Sequence, residues 1–567
     1  AGDAITTGND NVIIGRDAAS ALTVEQESVI IGTEAMKTSA NGIQNVVIGY
    51  KAGYDLYAGN GSNTIIGWKA VAGANTSAGA AEKITAVGAR TMITNVSAVR
   101  ATTLGYDAFY AATSGADNTA IGYGALRELR AGANSTAVGS AAGYYATGSY
   151  NTFVGKNAGF GGTTSAPFSS GQYNTALGFE ALKGFTTGHS NVAIGYESAD
   201  TLTTGYGNTF LGFRAGIQVT TGYYNIAIGH GALGDGGGTS GYHNIALGAN
   251  AAMDVSSGTN NIVIGYNAGD AMTDTTTTIL IGSFAGSAIN STDANGTVAI
   301  GYYAGSSITS GQNSVAVGYQ AGNALTTGDY NTMVGYQAGD GITTGNDNTM
   351  LGWGAGGSNS NTTGTNNTFL GGSAGLGIIN RNDNTFVGYR AGTNIRAGVG
   401  STIIGSHAGY NSQGATYSGS NNLFAGYASG YNTGGDKNAI LGAYAGFNTT
   451  GSQNTFVGYA AGYGGQASAP FSSGQNNTAL GYEALKDFTT GGSNTVIGYQ
   501  ALKSATTTNN IVAMGYQAGY NLTTGQANVL IGANAGNQLT TDQYVTAVGY
   551  NAGYYSEGAI GNKYNSY

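Results

Sequence analysis

Cysteine is absent from the 567 residues, prolines number two, and only 8% of positions are charged. Without cysteine there is neither a disulfide frame nor a thiolate metal site. The scarcity of proline, with glycine not falling at every third position, excludes a collagen helix. No cluster of Lys or Arg occurs and the net charge is −9, so a phosphate-neutralising surface is not expected and nucleic acid is no expected partner. No apolar run approaches the roughly eighteen residues that a bilayer-spanning helix needs, and no membrane insertion is expected. The histidines His189, His230, His243 and His407 are scattered, and neither a metal-binding spacing nor a triad-like order of Ser, His and Asp is present. No metal, no cofactor and no enzymatic activity are therefore expected.

Glycine, by contrast, numbers 101, and a chain so rich in it must first be weighed as disordered. Against disorder stand 41% hydrophobic residues placed in register. The phrase N-T-x-[ILV]-G-Y-x-A-G recurs, its first Gly falling at Gly15, Gly32, Gly49 and Gly67 and continuing to Gly498, Gly515, Gly532 and Gly549, 31 times in all. Of the 30 gaps 19 are 17 residues. A unit this short cannot bury a core alone, so copies must stack. The expected fold is all-β: a parallel β-solenoid, or β-roll, of about 31 coils with a 17-residue repeat. At a strand spacing of about 4.8 Å these coils would form a rod of roughly 150 Å. The fibre shaft is expected over residues 1–549, followed by a terminal coil or tail at 550–567. Ala1 falls in mid-repeat without an initiator Met, so an excised or mature section of a longer chain is expected.

Numbering the repeat from Asn as position 1 puts the recurrent Gly at position 5, as in Asn118 to Gly122. Position 4 is Ile, Val or Leu in 29 of 31 copies, position 3 is apolar in all but Thr103, and position 2 is mostly Thr, Val or Ile. Such a run reads as a short strand. Alternate side chains face opposite ways, so positions 2 and 4 are expected to fill the coil and position 3 to lie on the other, also buried, face. Two arrangements would cover position 3: three chains around an axis, or later segments of the same chain. The insertions are too short for a second layer, which favours the trimer and makes Ala120 and Ala316 the positions at which Asp should abolish it.

Ala at position 8, in 28 copies, marks a place that admits only a small side chain. An apolar residue and T-T-G follow, as at Leu202 to Gly205 and Leu522 to Gly525, and read as an outer strand ending in a glycine turn. The Asn at position 1, in 21 copies, would either form an amide ladder between coils or cap a turn. Segments 151–205 and 454–508 are duplicates that share the insertion SAPFSSGQ and carry the only prolines, Pro167 and Pro470. The shared insertion is either a contact site or the trace of a segmental duplication.

Position 6 is aromatic in 19 copies. This column, with Tyr50, Trp68, Tyr123, Phe179, Phe213, Tyr319, Tyr336, Trp353, Tyr389, Tyr482 and Tyr516, is the candidate contact surface for a sugar or a protein partner. Alternatively the rings stack from coil to coil. The T-T-G rows offer a further reading, an ordered threonine array of the kind that binds ice.

The phrases NSVAVG at Asn313 to Gly318 and NSTAVG at Asn134 to Gly139 resemble the head-domain motif of trimeric autotransporter adhesins. The longer phrase from Asn477, NTALGYEALKDFTTGGSNTVIGYQAL, is similar to repeats of bacteriophage tail fibre proteins. The resemblance implies left-handed parallel β-rolls associated as homotrimers, and in tail fibres a self-cleaving trimerisation chaperone, whose cut would fall near Tyr567. It further implies an extracellular fibre on a virion or cell surface that mediates attachment to a host-surface glycan or protein receptor. A bacterial adhesin head and an ice- or glycan-binding solenoid are the alternatives.

Overall fold

The computed structural model describes residues 1–39, 41–56, 61–73, 82–94, 98–162, 168–234, 237, 240–357, 363–378, 380–395, 398–412, 419–465, 471–555 and 565–567. Pro167, Pro470 and the first part of each long insertion lie outside the described residues. The chain is a parallel β-solenoid of about 29 turns with a repeat of about 17 residues. Two compact units make it up, Ala1–Ser283 with Asn290–Thr292, and Phe284–Ile289 with Asp293–Tyr567. Each contributes a long ladder with one strand per coil, almost always three residues long, from Val12–Ile14 to Ile279–Ile281 in the first and from Val298–Ile300 to Val545–Val548 in the second. In the first unit Val24–Gln26 and Asn41–Ile43 form a separate two-stranded parallel sheet. The sole described helix is the 3-10 turn Thr292–Ala294. Asn565–Ser566 pairs parallel to Val545–Val548, so the described end of the tail adds a further strand.

Neighbouring strands pair in strict register, position for position: Thr175 opposite Val192, Ala176 opposite Ala193, Leu177 opposite Ile194. Strict register explains the recurrent glycine. Gly335 has a φ of +138°, and a Cβ there would sit 2.5 Å from the Gly352 carbonyl oxygen of the next coil. Only glycine combines that dihedral with so close an approach of two backbones. Ala at position 8, as at Ala52, Ala125 and Ala268, is buried in every coil that carries it but the last, where Ala552 is half-buried. Where Thr91 or Ser429 replaces it, the hydroxyl donates to the carbonyl three residues earlier, at 3.3 and 3.1 Å.

The two strand faces are the reverse of those expected. Position 3 points into its own coil: Ala120, Phe153, Ala193, Phe210 and Ala316 are completely buried within the single chain. Positions 2 and 4 point outward, Leu177 being 45% and Leu351 45% exposed. Position 3 therefore meets no symmetry mate, and Ala120→Asp or Ala316→Asp would attack the coil's own core. Inside each coil position 3 packs with positions 8, 9 and 12, and a Phe at position 3 is always met by Gly at position 9. Phe153, Phe210, Phe369, Phe386, Phe424 and Phe456 are each followed six residues later by Gly, whereas Ala176 is followed by Leu182 and Ala479 by Leu485. The aromatic ring occupies the space that the Leu fills elsewhere: a Cβ on Gly216 would lie 2.7 Å from Phe210 Cδ1.

The T-T-G segment forms turns in most coils; the expected outer strand occurs at this place only in the first coils, where Val24–Gln26 pairs with Asn41–Ile43 among the described residues. The N–H groups of Thr203 and Thr204 both donate to the Thr220 carbonyl, at 2.8 and 3.3 Å. Two successive donors that converge on one acceptor belong to a turn, since an extended strand aims them at opposite sides. The first Thr hydroxyl is also committed to the neighbouring coil, Thr203 Oγ1 donating to Thr220 O at 3.0 Å.

Asparagine at position 1 builds the ladder. Asn208 accepts on Oδ1 from the Asn225 N–H at 2.9 Å and from Asn225 Nδ2 at 3.2 Å. Its own Nδ2 donates to Asn191 Oδ1 at 3.1 Å and to Gly222 O, fourteen residues on, at 2.8 Å. One side chain thus joins two coils and closes its own. Ser135 and Ser314 substitute with a single hydroxyl that still accepts from the next coil's N–H, at 3.2 and 3.3 Å.

Candidate binding surface

Two surfaces follow from this register. The first is the outward sheet face, where rows at positions 2 and 4 repeat at every coil. In the first unit it includes Ile194, half-buried, and Leu211, Ile226 and Ile228, exposed; in the second it includes Leu370, Ile404, Leu480 and Met514, all exposed. At position 2 the row is mostly threonine, and at position 4 it is almost wholly aliphatic; a recurrent row of half-buried to exposed aliphatic side chains is unusual on a monomer surface.

The second is the position-6 column flanking that face. Tyr50, Trp68, Tyr123 and Phe213 in the first unit, and Tyr319, Tyr336, Trp353, Tyr389, Tyr482 and Tyr516 in the second, are exposed; Phe179 is half-buried. Parallel pairing sets the rings one strand spacing apart, close to the separation that offset stacking favours. Phe179, Tyr196, Phe213 and His230 stack successively at 5.1, 5.2 and 5.0 Å, and Tyr482, Tyr499 and Tyr516 at 5.2 Å per step. Tyr319 stacks on Tyr336 at 5.0 Å and Tyr123 on Tyr106 at 5.8 Å. Lys51, Lys69 and Arg390 lie over the rings of Tyr50, Trp68 and Tyr389. The column is thus a set of continuous stacks that leave ring surface in solvent.

Two further columns were not recognised in the sequence. His189, Tyr206, Tyr223 and Tyr242 stack at 5.0, 5.1 and 4.6 Å just before the Asn of their coils. In the second unit Tyr410, Tyr431, Phe447 and Tyr463 follow one another at position 10, at 5.2, 4.6 and 4.8 Å. Recurrence of an aromatic at one repeat position over four coils was the available signal. Among the described residues no three His, Asp or Glu groups converge as metal ligands would.

Charged groups collect beside the column at positions 7 and 10. Burial would raise the Glu483 carboxyl, but hydrogen bonds from Lys486, Lys503 and Gln500 outweigh it and bring its pKa down to about 2. The contacts are 2.6 Å to Lys486 Nζ, 2.8 Å to Lys503 Nζ and 2.8 Å to Gln500 Nε2. A depressed acid stabilises the fold fully above its unfolded pKa of roughly 4.3, and that contribution is lost as pH falls through the folded value. Thermal unfolding of the wild type is therefore expected to shift downward between pH 4.3 and about 2 more than that of Glu483→Gln. Equal pH slopes for the two proteins would show that the cluster contributes nothing.

Beyond its own geometry the chain has few points of comparison: no protein-family model matches it, and no significant match to a curated protein is found.

Proposed function

We propose that the chain is a structural, non-enzymatic part of an extracellular fibre, a phage-like tail fibre shaft that assembles as a homotrimer and mediates or presents attachment to a host surface. The observation that carries this reading is the outward face at positions 2 and 4, where an aliphatic residue at position 4 and Thr, Val or Ile at position 2 recur along both units. A partner that covers such a face row by row must itself repeat at the strand spacing of about 4.8 Å. Another copy of this chain does so by construction. Three copies close a ring if the position-2 row of each meets the position-4 row of its neighbour, a heterologous contact that leaves no unpaired row. The axis then runs along the face opposite to the one that the sequence pattern suggested.

Mass photometry tests the assembly. The wild type is expected at three times the 56.6 kDa chain mass. The variant carrying Leu177→Lys, Leu211→Lys, Leu351→Lys and Leu370→Lys is expected at one chain mass with an unchanged far-ultraviolet spectrum, because these side chains already point to solvent in the single chain. A wild type that is a stable monomer sinks the proposal.

A further inference from the structure

In the second unit the surface opens into a groove of about 410 Å³ where the aromatic column meets positions 7 and 10. It is lined by Tyr444, Tyr459, Tyr463 and Tyr482 together with Ala460, Glu483 and Lys486. The opening has a local cause. In the following coils position 7 holds Glu483, Gln500 and Gln517, whose side chains are linked by hydrogen bonds of 2.8 and 3.0 Å. Ala460, 3% exposed, ends that chain of side chains and leaves its space empty. Tyr444 stands edge-on to Tyr459 at 5.9 Å and 78°, whereas Tyr459 lies flat on Tyr482 at 5.2 Å and 13°.

The duplicated segment carries a longer side chain at this point. Asn157 occupies the place of Ala460, and its Nδ2 donates to Glu180 Oε1 at 3.1 Å. Lys156 replaces Tyr459, while the pair Lys183–Glu180, at 2.9 Å, matches Lys486–Glu483. Of the seven groove residues only Glu483 and Lys486 recur in the duplicate, as Glu180 and Lys183. Asn157 is the one difference that puts a longer side chain in the position-7 row where Ala460 leaves a gap, on a similar backbone: φ is 57° at Asn157 and 51° at Ala460.

We propose that the Ala460 groove binds a neutral saccharide. An anion would face the Glu483 carboxylate, and a cation would face Lys486 and Lys503. A purely apolar ligand would strip water from that charged cluster without replacing its hydrogen bonds. A pyranose avoids all three penalties, because its C–H face packs on tyrosine rings while its hydroxyls donate to Glu483 and accept from Lys486 and the tyrosine hydroxyls. Flat aromatic walls with a few fixed polar groups are the usual composition of small-ligand sites of this volume. The site adds a ligand to the fibre reading and stands independently of the self-association face, from which it is separated by position 5.

The test is a printed array of neutral oligosaccharides, including malto-, chito- and manno-oligomers, probed with the intact wild type and with Ala460→Asn. Asparagine is already accommodated at the equivalent position, so the variant is expected to fold and to keep the wild-type mass by mass photometry. Binding to at least one oligosaccharide class is expected for the wild type, with an apparent affinity at least tenfold lower for Ala460→Asn and unchanged for Asn157→Ala. Absence of binding by the wild type, or equal binding by wild type and Ala460→Asn, overturns the proposal.

Discussion

Phe210→Ala is expected to destabilise its coil severely, and a second substitution, Gly216→Leu, to restore most of the loss. Phe210 is completely buried, and truncating such a ring costs about 3–5 kcal/mol through lost transfer energy and the cavity left behind. Gly216→Leu alone is expected to cost about 1–3 kcal/mol or more, since a Cβ there lies 2.7 Å from the Phe210 ring. Combined, they reproduce the arrangement of Ala176 with Leu182, where Leu adopts a φ of 52° against 62° at Gly216. The double variant is thus expected to lie much closer to wild type than the sum of the singles, with a coupling of about 2–3 kcal/mol. Because coils unfold partly independently, hydrogen exchange reads the effect best. The reporting amide is Gly212, which donates to Ile194 O at 2.8 Å. Simple additivity would mean that positions 3 and 9 do not share a cavity.

That volume exchange also explains which parts of the fold were legible in the sequence. The coil length, the strand, the glycine at its end and the small residue at position 8 each follow from a constraint on one residue at a time, and each stands where the repeat places it. The direction of the strand does not. All three strand positions are apolar or β-branched, so no polar alternation separates inside from outside, and Val192, Ala193 and Ile194 read equally well either way round. The missing information lay in a pair: Phe at position 3 never coincides with a side chain at position 9, as Phe369 with Gly375 and Phe386 with Gly392 show. Only residues that face the same interior compensate in volume. The T-T-G segment misled for a related reason. Its threonines have strand propensity, but their N–H groups at Thr203 and Thr204 turn to one carbonyl, and propensity does not report that direction. For the candidate surface, the position-6 column was visible as a recurrence, whereas the groove at Ala460 arises from one side chain missing from a row. It becomes visible only when Asn157 is set beside it.

The asparagine ladder should be the other point of large sensitivity. Asn208→Leu removes a side chain that makes four hydrogen bonds in a completely buried setting. It strands the Asn225 N–H and the Gly222 carbonyl without water to replace their partner, and each such group costs about 1–3 kcal/mol. A loss of about 2–6 kcal/mol is therefore expected, although leucine adds apolar volume. Asn208→Ser should cost clearly less, because at Ser135 and Ser314 the hydroxyl still accepts the next coil's N–H. Asn208→Asp keeps the acceptor for the Asn225 amide but loses the donors to Asn191 Oδ1 and Gly222 O, and brings a charge into a buried position. It is expected to be the worst of the three at neutral pH and to recover as the carboxyl protonates in acid, with the sign of a raised pKa. Hydrogen exchange at the Asn225 amide should rank the variants serine, leucine, aspartate in increasing rate at neutral pH. A leucine variant as well protected as wild type would show that the ladder only accompanies the stacking of the coils and does not hold them.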